Sequence, residues 1–276
     1  MKNIGIKLAA VAVLMLAAAP ADAGKGGSAG KIRSAVASGS VDAIIAEVER
    51  AEGLNCADCV QLVTNLTEDE RYRVREVAAW WFAKRPAMAK MLVPGFVDDL
   101  ASGNSTAVRN AADFLGASVT YTSLPALRAA IKRDVSAEAK VAIVRAVKVM
   151  GHQGGNDVLT TAMADADAGV RAAAANAWRD LRGQQSAAPV IGLLGDADAT
   201  VRAEAATVVG ALKAAASRGA LETLVTSDPD AVVRRNAAWA LGKLGQSASR
   251  GALTLASGDK SGLVRMTAKV ALGQLR

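Results

Sequence analysis

Beyond its leading segment, the chain alternates apolar and polar positions with a helical period, and that pattern itself repeats. A basic residue preceded by Val or Ala recurs at Arg75, Arg109, Lys140, Arg171, Arg202, Arg234 and Arg265, at spacings of 34, 31, 31, 31, 32 and 31. One residue before each anchor stand Val74, Val108, Ala139, Val170, Val201, Val233 and Val264. Three after it stand Ala78, Ala112, Ile143, Ala174, Ala205, Ala237 and Ala268, and seven after it Phe82, Gly116, Val147, Trp178, Val209, Leu241 and Leu272. Offsets −1, +3 and +7 share one face of a helix, so each copy carries an amphipathic helix whose buried stripe is narrow at its centre. Four residues before the anchor, Ser105, Ser136, Asp167, Asp198, Asp230 and Ser261 are good helix N-caps. In the first copy that role falls to Thr67, with Glu70 closing a capping box and Leu66 as its staple.

A second, shorter apolar-periodic segment separates successive anchored helices, at 87–100, 124–132, 157–164, 187–194, 215–225 and 247–255. Each unit is therefore a helical hairpin that cannot bury its apolar face alone, and stacking the units yields one continuous core. The pattern is clearest in "DPDAVVRRNAAWALGKLG" (228–245) and "DADATVRAEAATVVGALK" (196–213). These stretches resemble the short HEAT-like repeats of the phycobilisome-lyase type, and the likeness extends over residues 60 to 276. The resemblance implies an all-α, right-handed α-solenoid of about seven hairpins. It also implies an Asp–Arg ladder between adjacent repeats, assigned here to Asp167, Asp198 and Asp230 with Arg171, Arg202 and Arg234. Copies two, three and seven carry Ser in place of the Asp, so the ladder is expected to weaken towards both ends.

The N-terminus reads differently. Lys2 and Lys7 flank the start of a continuous apolar run from Leu8 to Ala19, and Ala21-Asp22-Ala23 supplies small residues around a cleavage point. The run is too short to span a bilayer, so residues 1–23 read as a secretory signal peptide cleaved after Ala23. A periplasmic or secreted product without membrane insertion follows. Residues 24–39, opening on GKGGSAG, have flexible-linker composition. Residues 40–66 are expected to form N-terminal capping helices, and 67–276 the repeat array.

Composition excludes more than it assigns. Hydrophobic residues make up 51% but aromatics only 3%, which suits close-packed Ala-rich helices. The net charge of +7 is uneven: residues 151–200 hold six acidic against three basic residues, and 201–276 hold eleven basic against five acidic. Arg128, Lys132, Arg133, Lys140, Arg145 and Lys148 could contact phosphates, but the modest net charge favours a solvated face over nucleic-acid binding. His152 is the single histidine. No nucleophile elbow, zinc-protease helix or phosphate loop is present, so the sequence points to a non-catalytic protein with neither cofactor nor metal.

Two features remain for chemistry. The stripe opposite the core, at offsets +1, +5, +8 and +12, varies from copy to copy. Trp80, Phe114, Arg145, Lys148, Asn176, Arg179, Arg235 and Trp239 on it are candidates for holding a protein partner, because exposed aromatics beside basic side chains anchor interfaces. Trp80 and Trp239 could equally tuck against a neighbouring repeat, whereas Trp81 and Trp178 fall inside the core arc. The second feature is "LNCADCV" (54–60), which holds both cysteines. Val60 stands where haem attachment needs His, and zinc would lack ligands. In an oxidising compartment Cys56 and Cys59 read as a disulfide at the mouth of the array. A thiol-redox or assembly role at the start of a helix capped by Asn55 stays open. The expected function is a scaffold in the cell envelope that holds a protein partner, with that redox role as the alternative.

Overall fold

The computed structural model describes residues 26–54, 56–183 and 186–276. Residues 1–25, which include the expected signal peptide, Asn55 and the pair at 184–185 lie outside them. Among the described residues the secondary structure is entirely helical. The chain divides into two compact units, one ending at Met150 and one running from Gly151 to Arg276.

The first unit holds α1 (Ala29–Ser38), α2 (Val41–Arg50), α3 (Ala57–Leu66), α4 (Tyr72–Ala83), α5 (Pro86–Ala101), α6 (Ser105–Ala117), α7 (Leu124–Ala130) and α8 (Ala137–Met150). The second holds α9 (Asn156–Ala162), α10 (Ala168–Trp178), α11 (Ala188–Ile191), α12 (Ala199–Ala211), α13 (Arg218–Ser227), α14 (Ala231–Leu244), α15 (Arg250–Ala256) and α16 (Gly262–Leu272). In each unit the helices form two rows. The anchored row stacks α2 on α4, α4 on α6 and α6 on α8, and again α10 on α12, α12 on α14 and α14 on α16. The intervening helices pack alongside, each against the anchored helix that follows it.

The core follows the repeat register closely. Every residue at offsets −1 and +3 is fully buried, from Val74 and Ala78 to Val264 and Ala268. The seventh-offset residue is buried in all but the last copy, where Leu272 is half-exposed. Trp81 and Trp178 sit in the core as their register requires. Small residues set how closely helices approach. A Cβ on Gly116 would lie 2.5 Å from the Cα of Ala146, and one on Gly210 would lie 2.7 Å from the Cβ of Ala240. Neither position has room for a side chain.

The N-terminal region departs from expectation. The stretch 24–39 is not a linker throughout: Ser28 caps α1 by accepting from the Lys31 N–H at 3.2 Å, and Ile32 and Ala35 are buried. The leading glycines masked an amphipathic turn, since Ile32 lies one helical turn from Ala35. α1 and α2 pair as a further hairpin, which lacks the basic anchor. Its equivalent position is Ile44, four after the N-cap Ser40 and fully buried. With this hairpin, eight rather than about seven are present among the described residues. α3, within the stretch expected to cap the array, is the hairpin partner of α4.

Two caps shift as well. Thr67 ends α3, its hydroxyl donating to the Thr64 carbonyl at 2.7 Å, and does not begin α4. α4 starts instead after Arg71, where the Asp69 carboxylate accepts the Arg71 N–H at 2.9 Å. Asn104 rather than Ser105 caps α6. The caps at Ser136, Asp167, Asp198 and Asp230 form as expected, with N–H acceptors at 3.3, 3.0, 3.2 and 3.2 Å.

Candidate protein-interaction face

The anchor arginines organise what surrounds any functional surface. Arg75, Arg171, Arg202, Arg234 and Arg265 all aim one guanidinium nitrogen at the two carbonyls that open their own turn. For Arg234 these are Asp228 at 2.8 Å and Pro229 at 3.0 Å. In the second unit the remaining fork grips an aspartate of the next repeat. Arg171 pairs with Asp196 through two bonds of 2.8 Å, Arg202 with Asp228 at 2.7 and 3.0 Å, and Arg234 with Asp259 at 2.7 and 3.1 Å. These bidentate pairs are the strong geometry for a guanidinium and a carboxylate.

The ladder therefore exists, but not with the aspartates assigned from the resemblance. Asp167, Asp198 and Asp230 are occupied capping their own helices. The rungs use the acid six before the next anchor, two residues ahead of each cap. That acid also accepts the cap residue's N–H, as Asp196 does from Asp198 at 2.9 Å and Asp259 from Ser261 at 2.7 Å. The arginine fork holds the Asp196 and Asp259 carboxyls below the usual carboxylate range. The Asp-x-Asp and Asp-x-Ser spacing carried this signal, since only one of two acids can cap.

In the first unit the fork has another partner. Asp113 on α6, fully buried, accepts from Arg75 at 2.9 and 2.6 Å on one oxygen and from Arg145 at 3.0 and 2.8 Å on the other. The Arg145 guanidinium lies 3.9 Å over the Tyr72 ring, and the Tyr72 hydroxyl donates to Glu76 at 2.8 Å. Burial, reinforced by the Glu76 carboxylate, raises the Tyr72 phenol well above its ordinary value.

These networks decide the fate of the interface candidates. Phe114 does not reach the surface: it is buried and stacked on Phe96 at 4.0 Å. Its offset +5 turns inward because α5 packs an aromatic against it. Arg145 is engaged with Asp113, Asn176 donates to Glu204 at 3.1 Å, and Arg235 folds onto Asn236 at 2.9 Å. Lys148 and Arg179 are exposed. Trp239 is half-buried, its ring edge against Gly210, with the Lys243 ammonium 5.5 Å from the ring centroid.

Trp80 is different. It lines an open depression of about 360 Å³ in the first unit, together with Ile45 and Glu49 of α2, and with Arg73, Glu76 and Val77 of its own helix. Ala117 and Val149 close the far side. Val149 is 46% exposed, large for an apolar residue, and the Lys84 ammonium sits 5.4 Å from the Trp80 ring centroid. Its lining combines apolar side chains with both signs of charge. Sequence reasoning found Trp80 but missed Ile45, because the helix bearing it has no basic anchor. It also missed Arg73 and Val149, which lie at offsets outside the chosen stripe.

The cysteines are joined as a disulfide, with Cα atoms 5.2 Å apart. Cys56 itself is the N-cap of α3, its sulfur accepting the Cys59 N–H at 3.1 Å, so the helix begins one residue later than expected. Cys59 is fully buried and Cys56 partly exposed. Just ahead of the cysteines, Leu54 offers its carbonyl to Arg85 at 2.8 Å, and Arg85 also donates to the Trp81 carbonyl at 2.7 Å and lies 3.3 Å over the Trp81 ring. Burial lowers its pKa to about 10. His152 caps a short turn, its Nδ1 accepting the Gly154 N–H at 2.9 Å. Among the described residues no group of three or more His, Cys, Asp or Glu side chains could hold a metal ion, and no helix is long and apolar enough to cross a membrane.

Residues 187–273 match the family model described as HEAT repeats. Among solved structures, YibA of Escherichia coli aligns over 99% of this chain and 97% of its own, at 15% identity and a TM-score of 0.57. The CpcE–CpcF phycocyanin lyase complex of a Nostoc species aligns over 93% and 98%, at 17% identity and a TM-score of 0.38. Human deoxyhypusine hydroxylase aligns over 88% and 96%, at 20% identity and a TM-score of 0.39. No curated protein sequence matches the chain. The repeat register and the paired helical rows give the chain a HEAT-like solenoid fold, and the family match lies on its C-terminal repeats, residues 187–273.

Proposed function

We propose that this protein is a non-catalytic, exported scaffold that holds a protein partner in the cell envelope. The observation that carries the reading is the Trp80 depression, where Ile45, Val77 and Val149 surround a half-exposed indole beside Arg73 and Glu76. A large amphipathic ring with flanking charges is the usual centre of a protein interface. Export rests on the N-terminal sequence pattern, and N-terminal sequencing of protein from a periplasmic fraction should begin at Gly24.

Photocrosslinking tests the groove directly. A benzoylphenylalanine placed at Val149 or Glu76 should give a discrete covalent adduct in cells, while one at Thr160, exposed on α9, should not. Equal labelling at all three positions, or none at the groove, would sink the reading. A thiol-redox or assembly role for Cys56 and Cys59 is the alternative, favoured by the partly exposed Cys56 at a helix N-terminus. Cys56→Ser with Cys59→Ser should leave the groove adduct intact if the protein is a scaffold, and abolish function in vivo if it is a redox factor.

A further inference from the structure

The Trp80 depression carries a local charge opposite to that of the chain. Three ionisable side chains line it, Glu49 of α2 with Arg73 and Glu76 of α4. Arg73 is committed elsewhere, pairing with Asp42 at 3.2 Å. Glu76 accepts a hydrogen bond from the neutral Tyr72 hydroxyl at 2.8 Å, and among the described residues Glu49 has no ion-pair partner. Two carboxylates are thus left without a balancing cation, in a protein whose net charge is +7.

The aromatic part of the lining suits the same sign. The Lys84 ammonium lies 5.4 Å from the Trp80 ring centroid, within the range over which an indole attracts a cation. That lysine is itself balanced by Glu52 at 3.3 Å, so it does not neutralise the depression. Glu76 is also held in advance. Its partner Tyr72 lies under the Arg145 guanidinium at 3.9 Å, and Arg145 is bound to the buried Asp113. A carboxylate fixed before a ligand arrives lowers the ordering cost of binding it.

Size and chemistry narrow the occupant. A volume of about 360 Å³ lies at the small end of ligand-sized clefts. It has room for one long side chain, not for a helix about 10–12 Å across. Ile45, Val77 and Val149 offer apolar surface to a methylene stem. An indole beside two carboxylates favours a guanidinium, which stacks on aromatic rings and binds carboxylates through a planar fork, over a compact and strongly hydrated ammonium. An acidic or neutral segment would desolvate both carboxylates without pairing them.

We propose that the Trp80 depression receives a single exposed arginine of the partner protein, its guanidinium engaging the Trp80 ring and the carboxylates of Glu49 and Glu76. This inference rests on the scaffold reading of the groove and adds the chemistry that the groove selects.

The test titrates the whole protein with N-acetyl-arginine methylamide and follows the indole N–H resonances by NMR. The Trp80 signal is assigned by its loss in Trp80→Phe. A saturable shift of that signal is expected. The neutral citrulline counterpart should produce none, and the lysine counterpart should bind more weakly. Glu49→Gln and Glu76→Gln should each weaken arginine binding by about threefold, and together they should abolish the saturable shift. The proposal is overturned if arginine leaves the Trp80 signal unmoved, if citrulline or lysine binds as tightly, or if the double variant binds like the parent. The benzoylphenylalanine adduct at Val149 separates this failure from that of the scaffold reading. An adduct that forms in cells while the arginine probe fails keeps the scaffold and removes the arginine.

Discussion

The two units solve one problem in different ways. In both units an anchor arginine whose guanidinium is partly satisfied by its own turn has donors left for a carboxylate elsewhere in the stack. In the second unit the acid comes from the next turn, at the edge of the stack, and the rung repeats almost unchanged from Arg171 to Arg234. In the first unit Gly103, with φ of 73°, occupies the position where that acid would stand. The Arg75 fork turns inward to Asp113, and a fully buried carboxylate then draws in a second arginine, Arg145. One missing aspartate in a turn thus converts a modular rung into a buried Arg–Asp–Arg network. The cores differ in parallel. The first unit packs Trp81, Phe82, Phe96 and Phe114 ring against ring, with centroids 4.0 to 5.9 Å apart. The second is lined largely with Ala, Val and Leu. Regularity allows small cores with repeated pairs; the irregular unit is held by specific, unrepeated contacts.

The contrast can be broken most sharply at Asp113. Asp113→Ala strands two arginines against each other in the interior, and the expected cost is about 3–5 kcal/mol. Urea unfolding should report it, with hydrogen exchange rising first in α4, α6 and α8. Asp228→Ala removes one modular rung, and a smaller loss of about 1–3 kcal/mol is expected, confined to α12 and α14. Equal losses from the two variants would erase the distinction. A third variant probes packing rather than charge. Gly116→Ala pushes a methyl into the Ala146 backbone and should cost about 1–3 kcal/mol by overpacking.

Acid should act on the rungs through Asp196 and Asp259. Their carboxyls are held low by Arg171 and Arg234, so the stabilisation is complete above the unfolded-state Asp value and is lost as pH falls below about 4 towards the folded value. Amide exchange around α10 and α14 should quicken over that window, and Asp196→Asn with Asp259→Asn should flatten the response. The smallest change is a gain. A Cβ on Gly219, on α13, would meet nothing within 4 Å, so Gly219→Ala should stabilise by about 0.5–1 kcal/mol, read as a shift in thermal midpoint.

Much of the fold was legible in the sequence because helical burial is periodic. Offsets −1 and +3 are buried in all seven anchored copies, and no long-range information is needed to see them. The α1–α2 hairpin escaped because Ile44 replaced the basic residue that marked the register. The ladder was read two residues off, since a cap and a rung both demand Asp and composition alone cannot assign the two jobs. The interaction face was the least legible part. Offset +5 is groove at Trp80, core at Phe114 and network at Arg145, because what each residue meets depends on its neighbour's side chain rather than on its own position. Burial on the inner stripe is a property of a helix, whereas exposure is a property of the pair.

The tandem acids at each turn have an effect on how such a chain can lengthen. In Asp196-Ala197-Asp198, one carboxylate serves the arginine of the preceding repeat and the other serves the helix of its own. A duplicated block of one period would arrive with its own cap, an acid for the arginine ahead of it and an arginine for the acid behind. Gene duplication could therefore insert or delete whole repeats in the second unit without any compensating substitution. The same event around Asp113 would leave a charge unbalanced in the interior, so length variation among descendants of this chain should concentrate after Gly151.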